Sequence, residues 1–285
     1  MRRIVNGMLL ILLVVGLVST CCAKDPCKAV YGSGAEKITL ATGSPGELGL
    51  VKVLADHFNQ KSGTSICWRK AGSGKSLKLL KAKKADVIMV HAPAAEKKAV
   101  KEGWAVKRTL IGSNEFYVVG PKNDPAGIAK AKSVSEAYAK IARAKALFLS
   151  RGDNSGTHKK EMFIWGKAGI KPKGSWYAVT HDFMRATLRR ANAEKGYFMT
   201  DSSTWVAEKK NLPNLKVLFK GDPILINVYH ALCQPKGATP GAKRAAQFVD
   251  FLGSTAGQRI VAGYGKSQFG ESLYHDAAYA KKYEH

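Results

Sequence analysis

From residue 38 onward, short apolar runs alternate with segments whose apolar positions repeat at helical spacing. Ile38 to Leu40 leads into Thr42-Gly43-Ser44-Pro45-Gly46, and Leu48, Val51, Ala55 and Phe58 then mark one helix face. Ile66 to Lys70 reads as the next strand, and Ala71-Gly72-Ser73-Gly74 opens a second helix carrying Leu77 and Leu80. Val87 to Val90 is an unbroken apolar run of the kind a parallel strand buried on both faces shows, with Ala94 to Glu102 as its crossover helix. The alternation continues with strands at Glu115 to Val119, Ala146 to Leu149, Tyr197 to Met199 and Leu215 to Phe219. Helices are expected at Ser135 to Ala144, from the turn Ser150–Ser155 to about Ala168, at Phe183 to Glu194 and at Ser203 to Lys210. After Gly221-Asp222-Pro223 the pattern changes to a long strand, Ile224 to Leu232, and two helices, Gly241 to Leu252 and Thr255 to Ala262.

This order predicts an α/β fold of mainly parallel sheets flanked by helices. Pro and Gly punctuation near Phe116 to Pro121 and Pro223 to Tyr229 suggests two crossings between lobes. The expected division is residues 24–117 for the first lobe, 118–225 for the second and 226–285 for the return to the first. A ligand cleft should lie between the lobes, at the carboxyl ends of the strands.

Residues 1–23 are set apart by their composition. Arg2 and Arg3 precede the apolar run Met8 to Val18 and the small residues up to Ala23, the order of a secretory signal. Cleavage after Ala23 is expected, with processing to a lipid anchor at Cys21 as the alternative; either places the mature chain in the periplasm. Three cysteines then remain, Cys27, Cys67 and Cys233, which allow at most one internal bridge. Cys67, inside a strand, reads as a buried structural cysteine.

The formal net charge is +25. Lysines and arginines come in short scattered groups, and no zinc-finger spacing, RNA-recognition aromatic motif or basic zipper accompanies them, so nucleic acid is not the expected partner. Capture of a small anion uses the same balance.

Four strand-to-helix turns carry the candidate chemistry: Thr42-Gly43-Ser44, Gly72-Ser73-Gly74, Ser155-Gly156-Thr157 and Thr200-Asp201-Ser202-Ser203. Each should open a helix, whose first N–H groups are unpaired and whose dipole favours an anion. Any one of them alone is more simply read as a helix cap; two from each lobe, with Arg151 supplying a permanent charge and a planar fork, point to an oxyanion. The expected ligand-binding set is Thr42, Gly43, Ser44, Ser73, Gly74, Arg151, Ser155, Gly156, Thr157 and Thr200. Asp153 either accepts from a protonated phosphate or holds Arg151 and caps the next helix; the second role is favoured.

The run Ser150-Arg151-Gly152-Asp153-Asn154-Ser155-Gly156-Thr157-His158-Lys159-Lys160-Glu161 resembles the signature of tungstate-binding proteins of ABC importers. The resemblance extends through Val90-His91-Ala92-Pro93, Gly221-Asp222-Pro223-Ile224-Leu225 and Gly270-Glu271-Ser272-Leu273-Tyr274. It departs at Gly43, where a run of threonines ending in serine is usual. It implies a two-lobed periplasmic binding protein, expected as a monomer, that captures tungstate or molybdate for a membrane permease. No cofactor is implied, and the metal is held through its oxygens with no direct metal ligands. A phosphate- or sulfate-binding transport protein is the alternative within this class.

Other signals are weaker. Arg151-Gly152-Asp153 spells an adhesion tripeptide in a turn that already has an explanation. His158 and Glu161 share a helix face and would serve a metal or a Ser155 hydrolase only with a third group, so packing is preferred and an enzyme is not expected. His91 is expected to bond a neighbouring backbone group, and Trp68, Trp165, Trp176 and Trp205 to pack.

Overall fold

The computed structural model describes residues 27–284; the expected signal segment, residues 1–23, and Cys21 within it lie outside them. The strands are β1 (Ala29–Tyr31), β2 (Glu36–Thr42), β3 (Thr64–Lys70), β4 (Val87–Val90), β5 (Val106–Pro121), β6 (Phe148–Ser150), β7 (Tyr177–Val179), β8 (Tyr197–Asp201), β9 (Leu215–Phe219) and β10 (Ile226–Cys233). The helices are α1 (Ser44–Glu47), α2 (Leu50–Ser62), α3 (Ser73–Lys81), α4 (Pro93–Lys101), α5 (Val134–Ala144), α6 (Gly156–Lys167), α7 (Met184–Glu194), α8 (Ser202–Glu208), α9 (Ala242–Gly253), α10 (Thr255–Gly263), α11 (Lys266–Phe269) and α12 (Ala277–Ala280). Among the described residues no helix is long and apolar enough to cross a membrane.

The strands hydrogen-bond in the order β1-β3-β2-β4-β10-β5-β8-β6-β7, with β9 on β5. Parallel pairs occur where a helix crosses over, at β2–β3, β2–β4, β6–β7 and β6–β8. The sheet is nonetheless mixed, against the expectation of mainly parallel strands. β10 lies antiparallel to both β4 and β5, and β5 antiparallel to β8 and β9, because these long strands connect the halves directly instead of returning over a helix. β5 pairs β10 through residues 106–115 and β8 through residues 116–119, so one strand serves both halves.

Each half has its own core. In β4, Val87 and Met89 join Leu40, Leu54, Phe58 and Phe248 on one face, while Ile88 and Val90 join Leu77, Leu80 and Ala99 on the other. Both faces are therefore covered by helices, which is why the sequence there shows no polar alternation. The second half packs Phe116, Val118, Phe148, Trp165, Tyr197 and Phe198 together. Helix α2 buries Val51, Ala55 and Phe58 of the stripe read from the sequence, together with Leu50 and Leu54, while Leu48 precedes it; the helix stops where Gly63 adopts the left-handed conformation and its N–H bonds the Asn59 carbonyl.

One edge differs from expectation. Cys67 is not a lone buried thiol; β1 pairs antiparallel with β3, aligning Val30 with Cys67, and Cys27 forms a disulfide with Cys67. Among the described residues the free, buried cysteine is Cys233 on β10.

Candidate oxyanion site

The cleft between the halves holds a cavity lined by Thr42, Gly43, Ser44, Gly72, Ser73, Arg151, Ser155 and Thr157, together with Pro45, Met89, His91, Phe183 and Tyr229. Three of the four expected turns meet here. α1 and α3 begin without a side-chain cap, so no side chain competes for their first N–H groups. Trp68 fixes the first turn by donating its indole N–H to the Thr42 carbonyl at 3.1 Å.

Arg151 follows the end of β6 and is only 4% exposed. Its Nη2 lies 2.5 Å from Asp153 Oδ2, and the ring of Phe183 lies 5.5 Å from Cζ. Nε has no hydrogen-bond partner. A buried cationic donor without an acceptor costs free energy until one is supplied. Asp153 also accepts from the Ser155 N–H at 3.1 Å. Burial alone would raise the Asp153 carboxyl, but Arg151 and the hydrogen bonds from Ser155 hold it below the ordinary range. This carboxylate is committed to Arg151 and the turn, and it does not line the cavity.

The hydroxyls differ in what they can offer. Thr42 donates to the Met89 carbonyl at 2.8 Å and Ser44 to Asp201 at 3.1 Å, so these protons are already placed. Ser73 accepts from the His91 N–H, which leaves its own proton to give, whereas Ser155, capping α6, accepts from the His158 N–H and directs its hydroxyl to Asp153.

Gly74, Gly156 and Thr200 are not part of the cavity wall. Gly74 and Gly156 are where the two halves touch. A methyl group on Gly74 would lie 2.8 Å from the Asn154 carbonyl oxygen, and one on Gly156 would overlap the His91 ring. Thr200 is fully buried and donates to the Asp201 carbonyl. Its turn holds no ligand-facing donor because Asp201 satisfies it: the carboxylate accepts from the Thr204 N–H at 2.7 Å and from the hydroxyls of Ser203 and Thr204.

His91, expected to bond backbone, instead turns its ring into the cavity and hydrogen-bonds Asn227. Burial, and then the charge of Arg151, push it down to about 3, so the imidazole is neutral. Phe183 was not anticipated either. Lys70 Nζ lies 4.1 Å from its ring centroid and 2.5 Å from Glu47, so Phe183 is held between Lys70 and Arg151 from opposite halves. Its position at the start of the helix expected at 183–194 was the one available signal.

The pair His158 and Glu161 is structural. His158 Nδ1 accepts from the Asn154 N–H at 3.1 Å. Glu161 is buried, accepts from Tyr177 Oη at 2.6 Å and from the Trp165 indole at 3.3 Å, and burial pushes it up to about 7. Among the described residues no group of three or more His, Cys, Asp or Glu side chains could hold a metal ion.

Residues 29–255 match the model of the PBP superfamily domain. The tungstate-binding protein TupA of Peptoclostridium acidaminophilum is 30% identical over 281 residues, covering 96% of this chain and 98% of its own. The chain belongs to the tungstate-binding protein family of the PBP superfamily. A putative ABC transporter anion-binding protein of Haloferax volcanii is 36% identical over 236 residues, 80% of this chain and 69% of that protein. Among solved structures, the tungstate ABC transporter structure from Geobacter sulfurreducens is 36% identical with a TM-score of 0.73, covering 81% of this chain and all of that one. The tungstate-binding protein TupA from Desulfovibrio alaskensis G20 is also 36% identical, with a TM-score of 0.70 and coverage of 85% and 99%. Both share the two-lobed architecture found here.

Proposed function

We propose that this chain is an exported solute-binding protein that captures tungstate, or molybdate, and delivers it to the permease of an ABC importer. The observation that carries this reading is the buried Arg151, with Nε unpartnered, in a cavity whose lining includes hydroxyls and helix N-termini from both halves but no carboxylate. Such a wall supplies donors and positive potential. Monohydrogen phosphate keeps a proton and gains from an acceptor, whereas tungstate and molybdate need none; Asp153, the acceptor in reach, is engaged by Arg151. The relatives named for tungstate support the same ligand class. Binding without turnover fits the geometry, because the His158 ring serves the Asn154 N–H rather than Ser155.

The test is thermal unfolding of the mature protein with tungstate, molybdate, sulfate and phosphate in turn. A ligand at one hundred times its dissociation constant stabilises the fold by about 2.7 kcal/mol. Tungstate and molybdate are expected to raise the midpoint and phosphate to leave it unchanged; a shift with phosphate alone would move the assignment to phosphate.

A further inference from the structure

Behind the ligand cavity lies a second, open groove. One wall is the start of α4, from Ala92 to Ala95, and the other is Gly156, Lys159 and Phe163 on α6. The walls belong to opposite halves of the molecule, so the groove exists in this form only while the halves are closed. His91 lines both this groove and the ligand cavity, and the backbone of Gly156 packs against its ring.

The groove is apolar at a place where solvent would favour polar groups. Phe163 is 51% exposed and its neighbour Met162 41%, in a molecule whose other aromatic side chains mostly pack inward. A rimmed apolar patch of this kind marks a contact surface. The rim is basic: Lys159 is exposed, Lys167 lies 5.3 Å over the Phe163 ring, and no carboxylate lines the groove.

We propose that this groove is the surface by which the importer's membrane-spanning partner recognises the closed, loaded protein, receiving an apolar side chain flanked by acidic residues on that partner. Charge complementarity with Lys159 and Lys167 selects the acidic flank, and Phe163 provides the apolar seat. Because one wall comes from each half, an open molecule presents two separated fragments of the surface. Recognition of closure then follows from the geometry.

The inference rests on the transport reading, and the experiment separates the two. The mature protein, Phe163→Ser and Lys159→Glu are each assayed for the tungstate-induced rise in unfolding midpoint and for tungstate uptake by vesicles carrying the cognate importer. Both variants are expected to keep the unliganded midpoint and the tungstate shift, while uptake falls at least tenfold for Phe163→Ser and several-fold for Lys159→Glu. Uptake by Phe163→Ser equal to that of the unaltered chain would overturn the groove's role alone. An unaltered chain whose midpoint responds to no oxyanion would overturn the binding reading, and the groove's role with it.

Discussion

Ser44 and Asp201, 157 residues apart in the chain, meet across the cleft, the Ser44 hydroxyl donating to Asp201 Oδ2 at 3.1 Å. Ser44 opens the first helix of one half, and Asp201 caps α8 on the other. A hydrogen bond to a charged acceptor contributes about 1.5 to 3 kcal/mol, and here it favours the closed form. Ser44→Ala should therefore weaken oxyanion binding by about tenfold, mainly through faster dissociation, as read by stopped-flow displacement. Unchanged dissociation would show that the contact does not help hold the halves together.

Arg151→Gln removes the charge and shortens the side chain while keeping a polar amide. Oxyanion affinity measured by calorimetry should fall at least tenfold, a loss of about 1.4 kcal/mol or more, with the unfolding transition still cooperative. Ser155→Ala and Thr157→Ala should each cost less than the arginine change, since neutral donors contribute about 0.5 to 1.5 kcal/mol. A larger loss at either hydroxyl would move the centre of the site away from the guanidinium.

Gly156→Ala places a methyl group against the His91 ring, which lies in the opposite half. Closure should be obstructed while each core remains intact. Small-angle scattering is expected to show compaction on ligand addition for the unaltered chain and little for the variant. Equal compaction would mean that the His91 ring moves aside.

The Cys27–Cys67 disulfide closes a loop with a sequence separation of 40. By loop-closure entropy its loss should cost up to about 4 kcal/mol. Cys27→Ala should lower the unfolding midpoint and leave the ligand-induced shift in place, because β1 is an edge strand that contributes no residue to the cavity wall. Loss of ligand response would tie β1 to the site.

His91 supplies a pH signature. Its pKa drops from an ordinary 6.5 to about 3 in the fold, chiefly through burial. Below pH 6.5 the unfolded chain binds a proton that the folded chain does not, so stability is full above 6.5 and declines as pH falls toward 3, by about 1.4 kcal/mol per pH unit within that window. His91→Asn should flatten this part of the curve in denaturant titrations between pH 7.5 and 4.5. Parallel curves for the two proteins would show that His91 takes up its proton as readily in the folded chain as in the unfolded one.

The strand–helix alternation was legible because Val87 to Val90 and the stripe on α2 are local patterns that burial imposes directly. Strand β1 was not legible: Ala29–Tyr31 is short and partly exposed, and the disulfide and its pairing with β3 hold it. The antiparallel joining strands were visible as extended segments, but their direction depends on what they pair with. In the site, three of the four turns could be read from residue type and position. The fourth failed because a carboxylate at a helix start serves equally as cap and as anion repellent, and only the contacts of Asp201 show that it is committed to its own turn and to Ser44. Likewise Gly74 and Gly156 were expected in the ligand-binding set as parts of helix-opening turns, while their closest neighbours belong to the facing half.

The pairing of β5 with β10 has a mechanical consequence. Asn227 aligns with Asn114 and Val228 with Ser113, and Asn227 Nδ2 donates to Asn114 Oδ1 at 2.8 Å, so the two chain crossings form a ladder with a side-chain rung. Twist between neighbouring strands varies most widely in two-stranded ribbons, so rotation is the deformation such a ladder accommodates. Release of the bound ion is therefore expected to proceed by rotation of one half about the ribbon axis, like a wrung cloth relaxing, with the grip on the ion lost by sliding.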